Sequence, residues 1–149
     1  MADKVSSAVR SRMMAAVKGR NTAPELHVRS VLFARGFRFR LHRRDLPGNP
    51  DIVLPRYRTA IFVHGCFWHG HQCPKGKQRP QTRPEFWNAK LDRNIVRDQA
   101  AQASLQEAGW RVFIVWTCQI EEDCSRAIAY LTRKRAGERR LNRAGTLST

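Results

Sequence analysis

The strongest constraint on the fold comes from two nearly all-apolar runs, at residues 59–63 and 110–116. Both runs are short and rich in Val, Ile, Phe and Trp, a composition that is typical of strands. A strand without alternating polar residues is buried on both faces, as in the centre of a sheet that has helices on both sides. The two runs therefore predict a sheet enclosed between layers of helices.

Helix signals lie before, between and after these strands. Thr22 can cap a helix that ends at Gly36, and Pro84 suits the first turn of another. The predicted helices cover residues 22–34, 84–107 and 121–135, and further strands cover residues 37–41 and 51–54. This order predicts an α/β domain with a central mixed sheet.

The charge of the chain indicates its partner. It has 28 Lys and Arg residues against 12 Asp and Glu residues, which gives a net charge of +16 and a pI near 11.3. Such an excess predicts a polyanionic partner, with nucleic acid as the default, and argues against an enzyme of small neutral molecules. The sequence has neither a membrane-spanning apolar run nor the apolar core of a secretory signal, so we expect a cytoplasmic protein without a membrane partner.

The chain divides into three regions. We predict a basic N-terminal DNA-contacting arm at residues 1–21, a folded domain at residues 22–135 and a flexible basic tail at residues 136–149. A short helix in the arm would carry Met13 and Met14. These methionines have two interpretations, helix packing or an apolar wedge into DNA.

The clearest chemical signal is the density of metal-ligating residue types between Asp51 and Cys73. Asp51 opens a strand and can hold Mg²⁺, although a carboxylate after proline also often caps a turn. His64 closes the next strand and is either a buried structural histidine or a functional one. His69 follows two aromatics in a loop, and its imidazole can transfer a proton at a scissile phosphate.

A second set of ligands points to zinc. Cys66, His71 and Cys73 lie within eight residues, and Cys118 follows a predicted strand. A set of three cysteines and one histidine is a normal closed zinc site, whereas the alternative is buried free thiols with a surface histidine. Cys124 lies within a helix pattern and is interpreted as packing. Zinc would order the loop that carries His69.

Several motifs together resemble the very-short-patch repair (Vsr) DNA mismatch endonucleases. The resemblance covers residues 10–118, and it depends on Pro50-Asp51, Phe62-Val63-His64-Gly65-Cys66-Phe67-Trp68-His69, His71-x-Cys73, Glu85-Phe86-Trp87 and Gly109-Trp110-Arg111-Val112. It implies a restriction-endonuclease-like fold and an enzyme that nicks one strand 5′ to the thymine of a T:G mismatch. Such mismatches arise when 5-methylcytosine deaminates.

The resemblance also implies roles for individual residues. Asp51 would bridge two catalytic Mg²⁺ ions, and His64 would hold a water of the metal. His69 would be the general base or acid, with Asp98 orienting it. Glu25, which the sequence pattern alone favours as a helix cap, would assist through water. One structural Zn²⁺ would be bound by Cys66, His71, Cys73 and Cys118.

The resemblance also implies the DNA contacts. Phe67 and Trp68 would intercalate beside the mismatch, and Met14 would do so from the other groove. An alternative for the two aromatics is a small core over the zinc. Val63 stands where better-known members have threonine, which is harmless if only its main-chain carbonyl binds Mg²⁺. We expect a monomer that acts on duplex DNA at the bacterial nucleoid, with downstream repair proteins as further partners.

Two other functions are compatible with the residues. One is an endonuclease of the same fold that cuts at other sites. The other is a zinc-stabilised DNA-binding module without catalysis, which the co-occurrence of Asp51, His64 and His69 argues against.

Overall fold

A computed structural model describes residues 22–147, with side chains described as far as residue 142. The four strands are β1 (Arg40–Leu41), β2 (Ile52–Leu54), β3 (Thr59–His64) and β4 (Arg111–Trp116). The helices are α1 (Ala23–Ala34), α2 (Pro74–Lys77), α3 (Pro84–Glu107) and α4 (Ile120–Leu147), with 3₁₀ turns at Pro55–Tyr57 and Thr117–Gln119.

The strands form one mixed sheet in the order β1-β2-β3-β4. The first three are antiparallel neighbours, whereas β3 and β4 are parallel, with Thr59 opposite Arg111 and His64 opposite Trp116. A parallel pair needs a crossover connection, and α3 lies in that connection. The predicted mixed sheet flanked by helices is thus confirmed.

The core has one part on each face of the sheet. Helices α1 and α4 pack on one face, where Leu32, Ile61 and Leu131 are fully buried. Helix α3 packs on the other face through Leu105, against Ala60 and Phe62. The first apolar run is therefore β3, which is buried at five of its six residues, as predicted. The second run is β4, for which the predicted burial on both faces is wrong, because β4 lies at the edge of the sheet and only Val115 in it is buried.

Helix α1 begins and ends where the sequence predicts. The Thr22 hydroxyl accepts a hydrogen bond from the main-chain N–H of Glu25 at 3.5 Å, and Gly36 has a φ of +84°. Glycine tolerates that backbone conformation without a steric penalty. In the part of the chain that the structure describes, no helix is long and apolar enough to cross a membrane. The methionines of the arm lie outside the described residues.

Two of the predicted element boundaries are wrong. The strand predicted at residues 37–41 is reduced to Arg40–Leu41, because the N–H of Phe37 donates to Leu32 O at the end of α1. The last helix runs to Leu147 rather than ending near Arg135, so residues 136–147 are helical rather than irregular. One glycine destabilises a helix by only about 1 kcal/mol, which neighbouring helix-forming residues offset.

Candidate active site

A cavity of about 1020 Å³ opens at the carboxyl end of β3, between the start of α1 and the middle of α3. Six polar residues in its lining could take part in chemistry. They are Glu25, His42, Asp51, His64, His69 and Asp98. Five of these were predicted from the sequence as site residues, and the structure brings all five together.

Asp51 lies at one end of the sheet, directly before the first residue of β2. Its Oδ2 accepts a hydrogen bond from the main-chain N–H of Val63 at 2.7 Å, which holds the carboxylate against β3. Burial raises the pKa of Asp51 to about 6, and the negative charge of Glu25 adds to this effect. The Val63 N–H, His69 and Arg29 act in the opposite direction. A buried carboxylate with a raised pKa needs positive charge, which a metal ion can supply.

His64 and His69 stack on each other, with ring centroids 3.7 Å apart and an interplanar angle of 5°. His64 is only 4% exposed. Its pKa is lowered to about 3, mainly by burial and secondarily by the charge of His69. His64 is therefore neutral at physiological pH. Its Nδ1 atom is buried, and among the described residues it has no hydrogen-bond partner.

Asp98 on α3 orients His69. Its Oδ2 lies 2.6 Å from His69 Nδ1. A carboxylate can only accept a hydrogen bond, so His69 Nδ1 donates and the neutral ring has its lone pair on Nε2. This is the arrangement by which a carboxylate sets the tautomer of a general base.

The loop that carries His69 is held by local hydrogen bonds and close packing. The N–H of His69 donates to Gly65 O at 3.2 Å, and that of His71 donates to Cys66 O at 3.1 Å. Gly70 has a φ of +61°, and a Cβ atom there would lie 2.4 Å from Ile95 Cδ1. A side chain at this position would be strained, and Gly70 connects His69 to His71, one of the predicted zinc ligands.

Glu25 lies at the first turn of α1 and is 5% exposed. Its main-chain N–H is capped by Thr22, whereas its carboxylate points into the cavity and accepts from Arg29 Nη2 at 3.2 Å. Its Oε2 is 3.4 Å from His42 Nε2. Glu25 thus has both the cap position predicted from the pattern and the place in the site implied by the resemblance.

Sequence reasoning gave no role to Arg29 or His42. Arg29 follows Glu25 by four residues on α1, the spacing at which helix side chains meet. His42 has a φ of +49°, an uncommon backbone conformation for a non-glycine residue. The position of His42 directly after a strand was the only signal for this residue that the sequence offered.

The four predicted zinc ligands converge beside the cavity. The ligand atoms of Cys66, His71, Cys73 and Cys118 all lie within 4.8 Å of one another. Cys118 Sγ is 3.4 Å from His71 Nδ1, and the His71 ring stacks on Trp116 with a centroid distance of 4.1 Å. No disulfide joins the cysteines, so all the thiols are available to a metal. This donor set fits Zn²⁺.

The remaining cysteine does not belong to this group. Cys124 is 3% exposed and packs in the core between the sheet and α4, as predicted.

Three aromatic rings form a half-buried cluster at the edge of the cavity. The Phe67 and Trp68 centroids are 5.0 Å apart, and both rings contact Trp87 of α3 at about 6 Å. Lys90 Nζ lies 5.7 Å from the Trp68 ring centroid. Trp87 belongs to the motif Glu85-Phe86-Trp87 on which the resemblance partly depends, but no role in the site was predicted for it. Rings that are partly exposed beside a cation can stack on bases.

The sequence is similar to those of known proteins. The profile of the family "DNA mismatch endonuclease Vsr" matches residues 2–75. The Type II nicking enzyme V.XorIIP of Xanthomonas oryzae pv. oryzae is 50% identical over 122 residues, covering 82% of this chain and 89% of the relative. The DNA mismatch endonuclease Vsr of Escherichia coli is 48% identical over 120 residues, covering 80% and 76%. The Type II nicking enzyme V.NmeAIP of Neisseria meningitidis is 40% identical over 121 residues, covering 81% and 86%.

Proposed function

This chain belongs to the Vsr family of DNA mismatch endonucleases, and on that premise we propose that it nicks one DNA strand 5′ to the thymine of a T:G mismatch. Membership makes it an endodeoxyribonuclease that acts on DNA. The proposed reaction depends on Mg²⁺ and begins very-short-patch repair of deaminated 5-methylcytosine. We place it in the bacterial cytoplasm, at the nucleoid.

The observation that carries the proposal is the convergence of Asp51, His64 and His69 in one cavity. We propose that the carboxylate of Asp51, together with the main-chain carbonyl of Val63, would hold two Mg²⁺ ions. When bound, Mg²⁺ neutralises phosphate charge and stabilises the leaving alkoxide. The hydrogen bond from Val63 N–H to Asp51 supports this assignment, because it aligns the carboxylate with the strand that supplies the carbonyl.

His69 is the proposed general base or acid. The Asp98 carboxylate holds the Nδ1 proton, which leaves Nε2 to accept or return the proton that moves during hydrolysis. Neutral His64 lies parallel to His69 and would orient water beside it, and Glu25 would assist through a second water.

Zinc is the proposed structural ion at Cys66, His71, Cys73 and Cys118. Because these ligands flank His69, Phe67 and Trp68 in the chain, the site would hold the imidazole and the two aromatics together. The support for this role is the closeness of the four ligand atoms, three of which come from a loop with little secondary structure and the fourth from the 3₁₀ turn after β4.

Mismatch recognition is proposed to depend on intercalation. Phe67 and Trp68 would insert beside the wobble pair from one groove, and Met14, which lies outside the described residues, from the other. Separating bases at a wobble pair costs less than at a Watson–Crick pair, so the aromatic wedge itself favours a mismatch. The net charge of +16 supports strong phosphate contact and steep salt dependence.

The experiment that tests the metal assignment is nicking by Asp51→Ala. Nicking of a T:G duplex should be abolished, while binding of the duplex in a gel-shift assay stays close to that of the wild type. A normal nicking rate in Asp51→Ala would show that the assignment is wrong.

A further inference from the structure

His42 lies beside two carboxylates in a group that could bind a metal ion through nitrogen. The ligand atoms of Glu25, His42 and Asp51 all lie within 4.8 Å of one another. Their side chains are only 7%, 15% and 21% exposed, and all three line the cavity that contains His69.

The distances around His42 suit a ligand better than an ordinary hydrogen bond. Nδ1 of His42 lies 3.9 Å from Asp51 Oδ1, which is too long for a hydrogen bond. Two atoms that bind one ion, each about 2.1 Å from it, lie about 3.0 Å apart at a right angle and about 4.2 Å apart in line. The separation between His42 Nδ1 and Asp51 Oδ1 falls between these limits.

The other ring nitrogen of His42 has a suitable partner. Nε2 faces Glu25 Oε2 at 3.4 Å. If Nδ1 binds a metal, Nε2 carries the proton and can donate to this carboxylate. A metal-ligating histidine almost always donates its second ring N–H to a carboxylate or carbonyl in this way.

Arg29 also contacts the ring of His42. Arg29 Nη2 lies 3.1 Å from His42 Nε2 and 3.2 Å from Glu25 Oε2. Because a guanidinium can only donate, His42 Nε2 accepts in this arrangement and the proton of the neutral ring lies on Nδ1, facing Asp51. A cation beside Asp51 would favour the opposite tautomer, in which Nδ1 presents its lone pair to the ion, and Arg29 would keep its contact with Glu25.

We propose that His42 Nδ1 is a direct ligand of the divalent ion held by Asp51. This inference rests on the proposed function, which places an ion at Asp51. It makes the site a mixed nitrogen and oxygen site rather than an all-oxygen one. Mg²⁺ prefers oxygen ligands, whereas an imidazole ligand favours later transition metals such as Co²⁺. His42 therefore sets the metal preference of this enzyme.

The test compares the affinities of Co²⁺ and Mg²⁺ for the zinc-loaded full chain by isothermal titration calorimetry. Because loss of even an outer-shell partner typically weakens metal binding by roughly 10- to 100-fold, His42→Gln should weaken Co²⁺ binding by at least about 10-fold and Mg²⁺ binding by less than about threefold. The matched control is His27→Gln, because His27 pairs with Glu121 Oε1 at 2.6 Å and does not line the cavity. It should change neither affinity.

A spectroscopic measurement tests the ligand directly. Mn²⁺ bound to the wild type should show ¹⁴N coupling in electron spin echo spectra, and this coupling should be lost in His42→Gln. Wild-type protein without ¹⁴N coupling, or coupling that persists in a folded His42→Gln variant, would overturn the inference. The wild-type spectrum decides the question even if the variant fails to fold.

A further variant separates this inference from the proposed function. If Asp51→Asn leaves nicking and both metal affinities unchanged, the metal site proposed at Asp51 is wrong. If Asp51→Asn abolishes binding of both metals but His42→Gln preserves the ratio of Co²⁺ to Mg²⁺ affinity, only the role of His42 is refuted.

Discussion

Asp51→Asn should abolish nicking and yet make the metal-free protein more stable. Burial and the nearby Glu25 raise the pKa of Asp51 from 3.8 to about 6, a change of about 2 units. Each unit corresponds to about 1.4 kcal/mol, so ionised Asp51 destabilises the fold by about 3 kcal/mol. Asparagine carries no charge, and its carbonyl oxygen can still accept the N–H of Val63.

The pH dependence has a definite sign. A raised pKa means that folded protein binds the proton more tightly than unfolded protein, so metal-free wild type loses stability as pH rises from about 4 to about 6. Asp51→Asn avoids this loss. Its gain in the free energy of unfolding should be about 1 kcal/mol near pH 4.5 and about 3 kcal/mol near pH 8.

Urea denaturation of both proteins at these two pH values measures the gain. Saturating Mg²⁺ should then narrow or reverse the difference, because only the wild type gains free energy from the bound ion. Asp45→Asn is the control for the effect of a raised pKa. Asp45 is exposed, and its hydrogen bond with Arg43 holds the pKa of its carboxyl below the usual value rather than above it. A destabilised Asp51→Asn variant, or a gain that does not change with pH, would contradict the electrostatic description of the site.

Three further predictions concern His69, the loop that carries it and the proposed zinc ligands. Asp98→Asn should lower the nicking rate roughly 10²- to 10⁴-fold without weakening T:G binding, because His69 loses the acceptor of its Nδ1 proton. Single-turnover nicking measures the rate and gel shifts measure the binding. A normal nicking rate would refute the prediction. Gly70→Ala should destabilise the protein by about 1–3 kcal/mol, because the added Cβ would lie 2.4 Å from Ile95 Cδ1. Thermal unfolding measures this loss, and an unchanged unfolding midpoint would contradict the packing described. Cys118→Ser should lower the zinc content measured by mass spectrometry. The control Cys124→Ala should keep the zinc content near one ion per chain, because Cys124 packs in the core. Equal zinc content in both variants would argue against the ligand set.

The central elements could be predicted because burial imposes a pattern on them. β3, β4 and α3 lie close to their predicted positions, since strands that contact helices are rich in apolar residues and a long helix must have an apolar stripe. The zinc ligands were also accessible, because three of them are neighbours in the chain and the fourth follows a strand that is parallel to β3.

The remaining features depend on contacts between distant segments. His42 meets Glu25 and Asp51 only because β1 pairs with β2 and α1 packs nearby, and no local pattern encodes this meeting. Trp87 joins Phe67 and Trp68 because α3 crosses above the loop. Beyond Arg135, helix α4 contacts the rest of the protein through Glu138, which pairs with Arg56 at 3.0 Å. The end of α4 was predicted wrongly for a local reason, because helix-forming residues offset the cost of the glycines in this segment.

The most direct test of the account is a strand-resolved cleavage assay on otherwise identical T:G, T:A and C:G duplexes, with and without Mg²⁺. The account predicts one product, a nick 5′ to the thymine of the T:G duplex, which appears only with Mg²⁺. Cutting of both strands, equal cutting of all three duplexes, or product formed in a chelator that removes Mg²⁺ would contradict it.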